Sequence, residues 1–286
     1  MTGLLYIVAT PIGNLSDISQ RAIDTLKSAD IIACEDTRTS AVLLKFFNIN
    51  TPTLAYHEHN ADSQTPKLID KLQSGQSIAL ISDAGTPLIS DPGFRLVRAA
   101  HEQGIGVVPI VGACAMIAAL SVAGLASDKF SFLGFLPAKS HGRITALNSW
   151  QKRSETLIFY EAPHRIIDCL TDMISVFGGE REATLCRELT KTFETIKKLP
   201  LAQLLEFVKQ DSNQQKGEIV LVVAGNTKTH STTEYDEWLL RIAQELPPKK
   251  AAAIVADVLQ LKKSTVYDRL LTLQNNEQTI TTQEPS

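Results

Sequence analysis

Four cysteines in 286 residues, Cys34, Cys114, Cys169 and Cys186, are too scattered for a metal cluster, a redox pair or a disulfide framework. They read as reduced, small core residues. No apolar run approaches the about 20 residues needed to cross a bilayer, which argues against membrane insertion. Neither sign of charge dominates: 28 Lys and Arg against 31 Asp and Glu give a net charge of -3, so bulk charge does not coat nucleic acid or an anionic membrane. Any polyanion must meet a local patch. Several signature loops are missing too: no G-x-G-x-x-G follows the first strand, and G-x-x-x-x-G-K, H-E-x-x-H and G-x-S-x-G are absent. Ordinary dinucleotide dehydrogenases, P-loop enzymes, zinc proteases and serine hydrolases are thereby disfavoured. The first strand begins at once, without a basic leader, and the expected location is cytoplasmic.

What is present is 44% hydrophobic residues, enough for two cores at about 150 residues per domain. Short apolar runs alternate with amphipathic stretches: strands over 4–9, 31–34, 53–56, 78–82 and 106–110, helices over 19–28, 40–47, 64–73, 94–103 and up to 123. That alternation predicts an α/β layer domain over 1–122 with a parallel sheet. Strands over 130–136, 156–160, 184–187, 194–198 and 218–223, with two clear helices among them, predict a second α/β domain over 123–228. Its sheet is mixed, because the strands near 185 and 195 are too close for a helical crossover. Helices over 235–245, 249–259 and 265–273 form a helix-turn-helix-like module, 233–275, followed by a flexible tail, 276–286.

The most informative stretch is 78–94, an apolar strand breaking into a loop crowded with Asp, Gly and Pro, where a parallel sheet binds ligands at its carboxyl edge. Asp83 and Asp91 offer acceptors to hydroxyls or a cation, and Gly85 and Gly93 let main chain approach a ligand. Other polar loops follow strands: Thr10 to Leu15, Glu35 to Arg38, His57 to Asn60, Tyr160 to Arg165 and Arg187 to Lys191. A metal reading of His57 and His59 is disfavoured, because alternate residues of an extended chain point apart and no third ligand has suitable spacing. No metal is expected. Basic residues at Lys139 to Arg143, Lys152, Arg153, Lys197, Lys198, Lys249, Lys250, Lys262 and Lys263 are either solvated faces or parts of a restricted phosphate groove.

These motifs, in this order from Leu4 to about Leu273, resemble the tetrapyrrole methylase superfamily. Within it the chain is similar to the branch that 2'-O-methylates a cytidine ribose in small-subunit (16S) ribosomal RNA. The carriers are Thr10 to Leu15, Glu35 to Arg38, Tyr56 to Asn60, Ser82 to Gly93, Phe135 to Lys139, Tyr160 to Arg165, Arg187 to Lys191 and Lys216 to Glu218, with Pro247 to Ala253 opening the terminal helices. The resemblance implies the two-domain fold of class III S-adenosylmethionine-dependent methyltransferases, that cofactor in the cleft between the domains, and a homodimer. It puts Pro11, Asp83, Gly85, Thr86, Ile89, Cys114 and Ala115 on the cofactor from the first domain, and Tyr160, Glu161, Ala162, Gly217, Glu218 and Ile219 from the second. The porphyrin branch has Gly-Asp-Pro where this chain has Gly85, Thr86 and Pro87, so the acceptor role passes to Asp83.

Methyl transfer to a ribose hydroxyl needs an acceptor for its proton, and Glu35, Asp36, His57 and Glu188 are the candidates. Arg38, Lys139, Arg143, His164, Arg165 and Lys191 are the candidate contacts to RNA phosphate and acceptor. Two other readings stay open: a small-molecule methyltransferase acting on a tetrapyrrole, and a non-catalytic ribosome-assembly factor that senses the cofactor. The terminal helices either dock RNA or pack on protein.

Overall fold

The structure is a computed structural model that describes residues 2–226, 235–259 and 261–281, with 275–281 described through their backbone alone. Strands β1 (Leu4–Val8), β2 (Ile31–Cys34), β3 (Thr53–Ala55), β4 (Ile78–Ile81) and β5 (Gly106–Ile110) form one sheet in the order β3-β2-β4-β1-β5. Every pairing in it is parallel. Helices α1 (Gln20–Ser28), α2 (Thr37–Phe46), α3 (Ala61–Gln73), α4 (Phe94–Glu102) and α5 (Ala115–Val122) follow the strands in turn. All four side chains of β4 are buried because its alternating faces meet two cores. Ile78 and Leu80 pack with Leu68, Leu72 and Leu96, while Ala79 and Ile81 pack with Ala22, Leu26 and Leu44. Each fully buried Leu or Ile contributes about 1.5–3 kcal/mol.

Local chemistry moves two helix starts from the expected positions. The Asp36 side chain accepts the Arg38 N–H, so α2 begins at Thr37 and not near 40. Helix α3 starts at Ala61, ahead of the expected 64, and carries Pro66 inside it at the loss of one backbone hydrogen bond.

The second sheet is mixed: β6 (Phe130–Phe135), β7 (Thr156–Glu161), β8 (Glu182–Arg187), β9 (Thr195–Pro200) and β10 (Ile219–Val223) lie in the order β6-β7-β10-β8-β9. Only β6 and β7 pair in parallel. Three helices accompany it where two were expected, α6 (Ser140–Asn148), α7 (Ile166–Phe177) and α8 (Leu201–Gln210). They cover one face, over Leu157, Phe159, Leu185 and Leu221. The other face, with Ile158, Cys186, Val220 and Val222, is covered by Ala119, Leu120 and Ala123 from the end of α5. Both sheets therefore belong to one compact unit, Met1–Asn226.

A separate unit holds α9 (Asp236–Glu245), α10 (Pro248–Val258) and α11 (Lys263–Thr281), packed on Leu239, Ala252, Val255, Val266 and Leu270. Arg269 grips Asp236 with two hydrogen bonds, 2.6 and 3.0 Å. Helix α11 continues past Leu273 to Thr281, so the expected tail from 276 starts as helix, and 282–286 lie outside the described residues. Among the described residues no helix is long and apolar enough to cross a membrane.

The basic run 139–143 does not act as a unit. Lys139 is exposed at the start of α6, whereas Arg143 turns inward, 2% exposed, with its Nε 2.6 Å from Asp172 and its Nη1 donating to the Ala138 carbonyl. Arg143 is a structural cation and not an RNA contact. Asp172→Ala leaves that guanidinium buried and unpaired, and should cost about 3–5 kcal/mol in urea denaturation.

Candidate functional site

The carboxyl ends of β1, β4 and β5 carry loops that are tied to one another. Thr10 and Gly85 exchange both backbone hydrogen bonds, at 2.8 and 3.1 Å, and the Thr86 hydroxyl donates to the Ala113 carbonyl at 2.9 Å. Asp83 reaches sideways, where its Oδ1 accepts the Asp36 N–H at 3.1 Å and links the loop after β4 to the loop after β2. These ties hold a strained backbone. Five non-glycine residues have positive φ among the described residues; Leu88 and Ser90 belong to the loop after β4, and Glu188 and Thr190 to the loop after β8. Both loops border the same cleft, and left-handed backbone at non-glycine positions is concentrated at functional sites.

The cleft has a volume of about 410 Å³, within the range of small-molecule sites. One wall is the 83–91 loop with Ile12, Cys114 and Ala115, and the other is Tyr160 to Pro163, Leu189 and Gly217 to Val220, with Phe135. Of the residues expected on the cofactor, Asp83, Gly85, Thr86, Ile89, Cys114, Ala115, Tyr160, Glu161, Ala162, Gly217, Glu218 and Ile219 are brought together here. Pro11 is not: it is buried outside the lining, and its neighbour Ile12 takes the place. Ile12, Ser90, Cys186, Leu189 and Val220 line the cleft without having been singled out. Asp91 was visible in the same loop, but Cys186 and Val220 looked like ordinary strand core.

The lining is acidic. Asp83 and Asp91 line the cleft together with Glu218, whose carboxylate meets Lys191, and Glu161, whose side chain is buried against Arg165; among the described residues no Lys, Arg or His lines it. Burial, the largest effect, and the Asp83 charge raise the Asp91 carboxyl above its ordinary value, although a hydrogen bond from Ser82 opposes them. Burial raises the Tyr160 phenol as well, and its oxygen accepts the Met116 N–H at 3.2 Å. The Cys186 thiol is pushed up to about 12, chiefly by burial, so it offers no thiolate nucleophile. No group of three or more His, Cys, Asp or Glu among the described residues is arranged to hold a metal ion.

The candidate bases separate by environment. Asp36 is held at about 2, first by the side-chain hydrogen bond from Arg38, which also closes a bidentate pair at 2.8 and 3.2 Å. Glu188 takes its Oε1 to Lys191 (2.8 Å) and to the Glu218 N–H (2.9 Å); burial raises its pKa, but these bonds outweigh it and the net shift is downward. His57 follows β3 at the far edge of the sheet and is absent from the lining; its Nδ1 is buried without a partner. Glu35 differs: burial first, then the Asp91 and Asp83 charges, raise its pKa, although it too lies outside the lining, as do Asp36 and Glu188.

The candidate substrate cations also separate. Arg38 is exposed but engaged by Asp36, and Lys139 and His164 are exposed. Lys191 bridges Glu188 and Glu218, at 2.8 and 2.9 Å. Arg165, expected to meet substrate, is instead spent inside the protein, 3.1 Å from fully buried Glu161 and donating to the Leu136 and Pro137 carbonyls.

Residues 4–205 match the family described as Tetrapyrrole (Corrin/Porphyrin) Methylases, and residues 229–274 match the RsmI C-terminal HTH domain. The chain is 56% identical over 267 residues to ribosomal RNA small subunit methyltransferase I of Vibrio cholerae, covering 92% of this chain and 93% of that protein. It is 54% identical over 276 residues to the Pseudomonas aeruginosa protein of the same name, covering 95% and 98%. Among solved structures, diphthine synthase superposes with a TM-score of 0.60 at 17% identity, covering 78% of this chain and 90% of that one. Uroporphyrin-III C-methyltransferase from Thermus thermophilus, complexed with S-adenyl homocysteine, gives 0.55 at 15% identity, covering 78% and 97%.

Gly217 has φ +80, and a Cβ there would stand 2.4 Å from the Glu188 carboxyl. Gly217→Ala must displace Glu188 and break its bonds to Lys191 and the Glu218 N–H, so calorimetry should show S-adenosylhomocysteine affinity falling about tenfold or more, with a lower melting temperature.

Proposed function

Since the chain belongs to the tetrapyrrole methylase family, we propose that it methylates small-subunit ribosomal RNA with S-adenosylmethionine, at the 2'-hydroxyl of a cytidine. The observation that carries this reading is the cleft built by the two sheets, found in a chain whose similarity to rRNA methyltransferases of two bacteria extends through the terminal helices. The chemistry of the lining fits the cofactor: the carboxylates of Asp83 and Asp91, which meet no cation among the described residues, suit a ligand bearing a sulfonium and an ammonium and disfavour a phosphate-bearing one. Ile12, Ile89, Leu189, Ile219 and Val220 supply apolar walls for an adenine, and Asp83 and Asp91 supply acceptors for hydroxyls or the ammonium.

S-adenosylmethionine supplies a methyl carbon already activated by its sulfonium, so the chain's own work is positioning and proton management. The tied loops after β1, β4 and β5 fix one wall, and the Glu188, Lys191 and Glu218 network fixes Gly217 on the other. Glu35 is the proton acceptor in this reading. Asp36 accepts from Arg38 on both oxygens and Glu188 is held by Lys191 and the Glu218 N–H, which lower both, whereas a backbone hydrogen bond from Asp83 does not outweigh the burial that raises Glu35. A homodimer and a cytoplasmic location complete the proposal; exposed Ile196 on edge strand β9, with exposed Phe193 just ahead of it, supports a pairing surface.

Incubation with methyl-labelled S-adenosylmethionine and, separately, small subunits, naked RNA or a porphyrin precursor should put label in a cytidine ribose. Label in the porphyrin, or cofactor binding with no transfer to any acceptor, overturns the assignment. Glu35 must be ionised to accept the proton, so the rate should fall as pH drops through its raised pKa. Glu35→Gln should lower single-turnover rates by about 10²–10⁴-fold, flatten that acid limb and leave cofactor affinity unchanged.

A further inference from the structure

Strand β6 carries a bulge that changes what its last residue faces. Phe132 pairs with Ile158 and Phe135 with Tyr160, so β6 spends one more residue than β7 over the same stretch. In a regular strand, side chains an odd number of positions apart point to opposite faces. Here the extra residue restores the phase, and both Phe132 and Phe135 meet the Tyr160 ring, with centroids 4.8 and 5.7 Å away. Gly134 makes the bulge with φ +60, and an added Cβ would lie 3.2 Å from the Ser90 hydroxyl across the cleft. Bulges of this kind re-aim a side chain beside active sites.

The segment that follows is held from behind. Arg165 donates to the Leu136 and Pro137 carbonyls at 2.7 and 3.2 Å, Arg143 donates to the Ala138 carbonyl at 3.3 Å, and both guanidiniums are anchored on carboxylates, Glu161 and Asp172. Two buried or half-buried arginines thus clamp a loop whose leading side chain is not itself needed in the core. Phe135 is 57% exposed at the cleft, while Phe132 already packs on the Tyr160 ring. A rigid aromatic ring, open to solvent on a clamped bulge beside a cation-free cleft, has the character of a stacking platform.

We infer that Phe135 is the platform on which the base of the acceptor nucleotide stacks, which sets its ribose over the cleft. The inference rests on the rRNA methylation proposed above and names the residue that receives the substrate. RNA is read mostly through unstacked bases laid on aromatic side chains, and a single such stack is sequence-tolerant because every base has a π-face. The distribution of charge fits the same pose. Phosphates are repelled by Asp83 and Asp91, so the backbone stays outside, where Lys139 is exposed at the start of α6 and His164 after β7.

Phe135→Leu keeps an apolar side chain beside Tyr160 and removes only the aromatic face. It should lower kcat/KM on small subunits about 10–100-fold, the size of one base–aromatic stack. Cosedimentation of the S-adenosylhomocysteine-loaded protein with small subunits should weaken in parallel. Affinity for S-adenosylhomocysteine by calorimetry should stay at the wild-type value, and Phe135→Trp should restore both RNA readouts. Wild-type rates in Phe135→Leu, or a parallel fall in S-adenosylhomocysteine affinity, would overturn the assignment, the second because the ring would then serve the cofactor. A wild-type protein that binds the cofactor yet methylates no RNA would instead sink the proposed reaction itself.

Discussion

The cleft exists because helix α5, which follows the last strand of the first sheet, is buried on the second. Ala119 and Ala123 are small enough for the helix to approach closely, and with Leu120 they cover Ile158, Val220 and Val222. The Thr184 hydroxyl donates to the Ala123 carbonyl at 2.8 Å and satisfies one acceptor at the helix end. The side chains at this contact are apolar and buried together. The contact therefore fixes the 83–91 loop on one side relative to Gly217 to Val220 on the other, a requirement for any reaction that depends on alignment rather than on acid strength.

Charge placement follows from the same packing. Arg143, Arg165 and Lys191 face Asp172, Glu161 and the Glu188 and Glu218 pair, and none of the three lines the cleft. These pairs leave Asp83 and Asp91 as the lining carboxylates that meet no cation among the described residues, and their field in a partly desolvated space favours a positively charged ligand. A net charge of -3 is compatible with an RNA substrate on the proposed reading, in which the polyanion meets exposed basic residues and one nucleoside alone enters the cleft.

Four of the five left-handed non-glycine residues among the described residues lie in the loops that do this work, the fifth being Asn48 after α2. Left-handed backbone at Leu88, Ser90, Glu188 and Thr190 costs of order 1–3 kcal/mol per residue and persists only where neighbours over-determine it. The Thr10 and Gly85 exchange, the Thr86 bond to Ala113, and the Lys191 bridge supply that determination. The bulge at Gly134 adds no such cost, since glycine adopts positive φ freely.

The sequence by itself determined the alternation of strands and helices, because side-chain periodicity is local, and it determined which loops share an edge, because parallel strands present their carboxyl ends together. Asp83, Gly85, Thr86, Tyr160 and Gly217 were legible on those grounds and on the family pattern. Only the tertiary structure decided the fate of individual charges. Lys139 and Arg143 are neighbours in one basic run, yet one is exposed and the other buried, because the deciding partner, Asp172, lies on another helix. Asp36 and Glu35 are adjacent carboxylates shifted in opposite directions, since one is bonded by the Arg38 guanidinium and caps a helix and the other is desolvated beside Asp91 and Asp83. Burial and pairing are properties of contacts between distant segments, and a linear pattern of residue types does not encode them position by position.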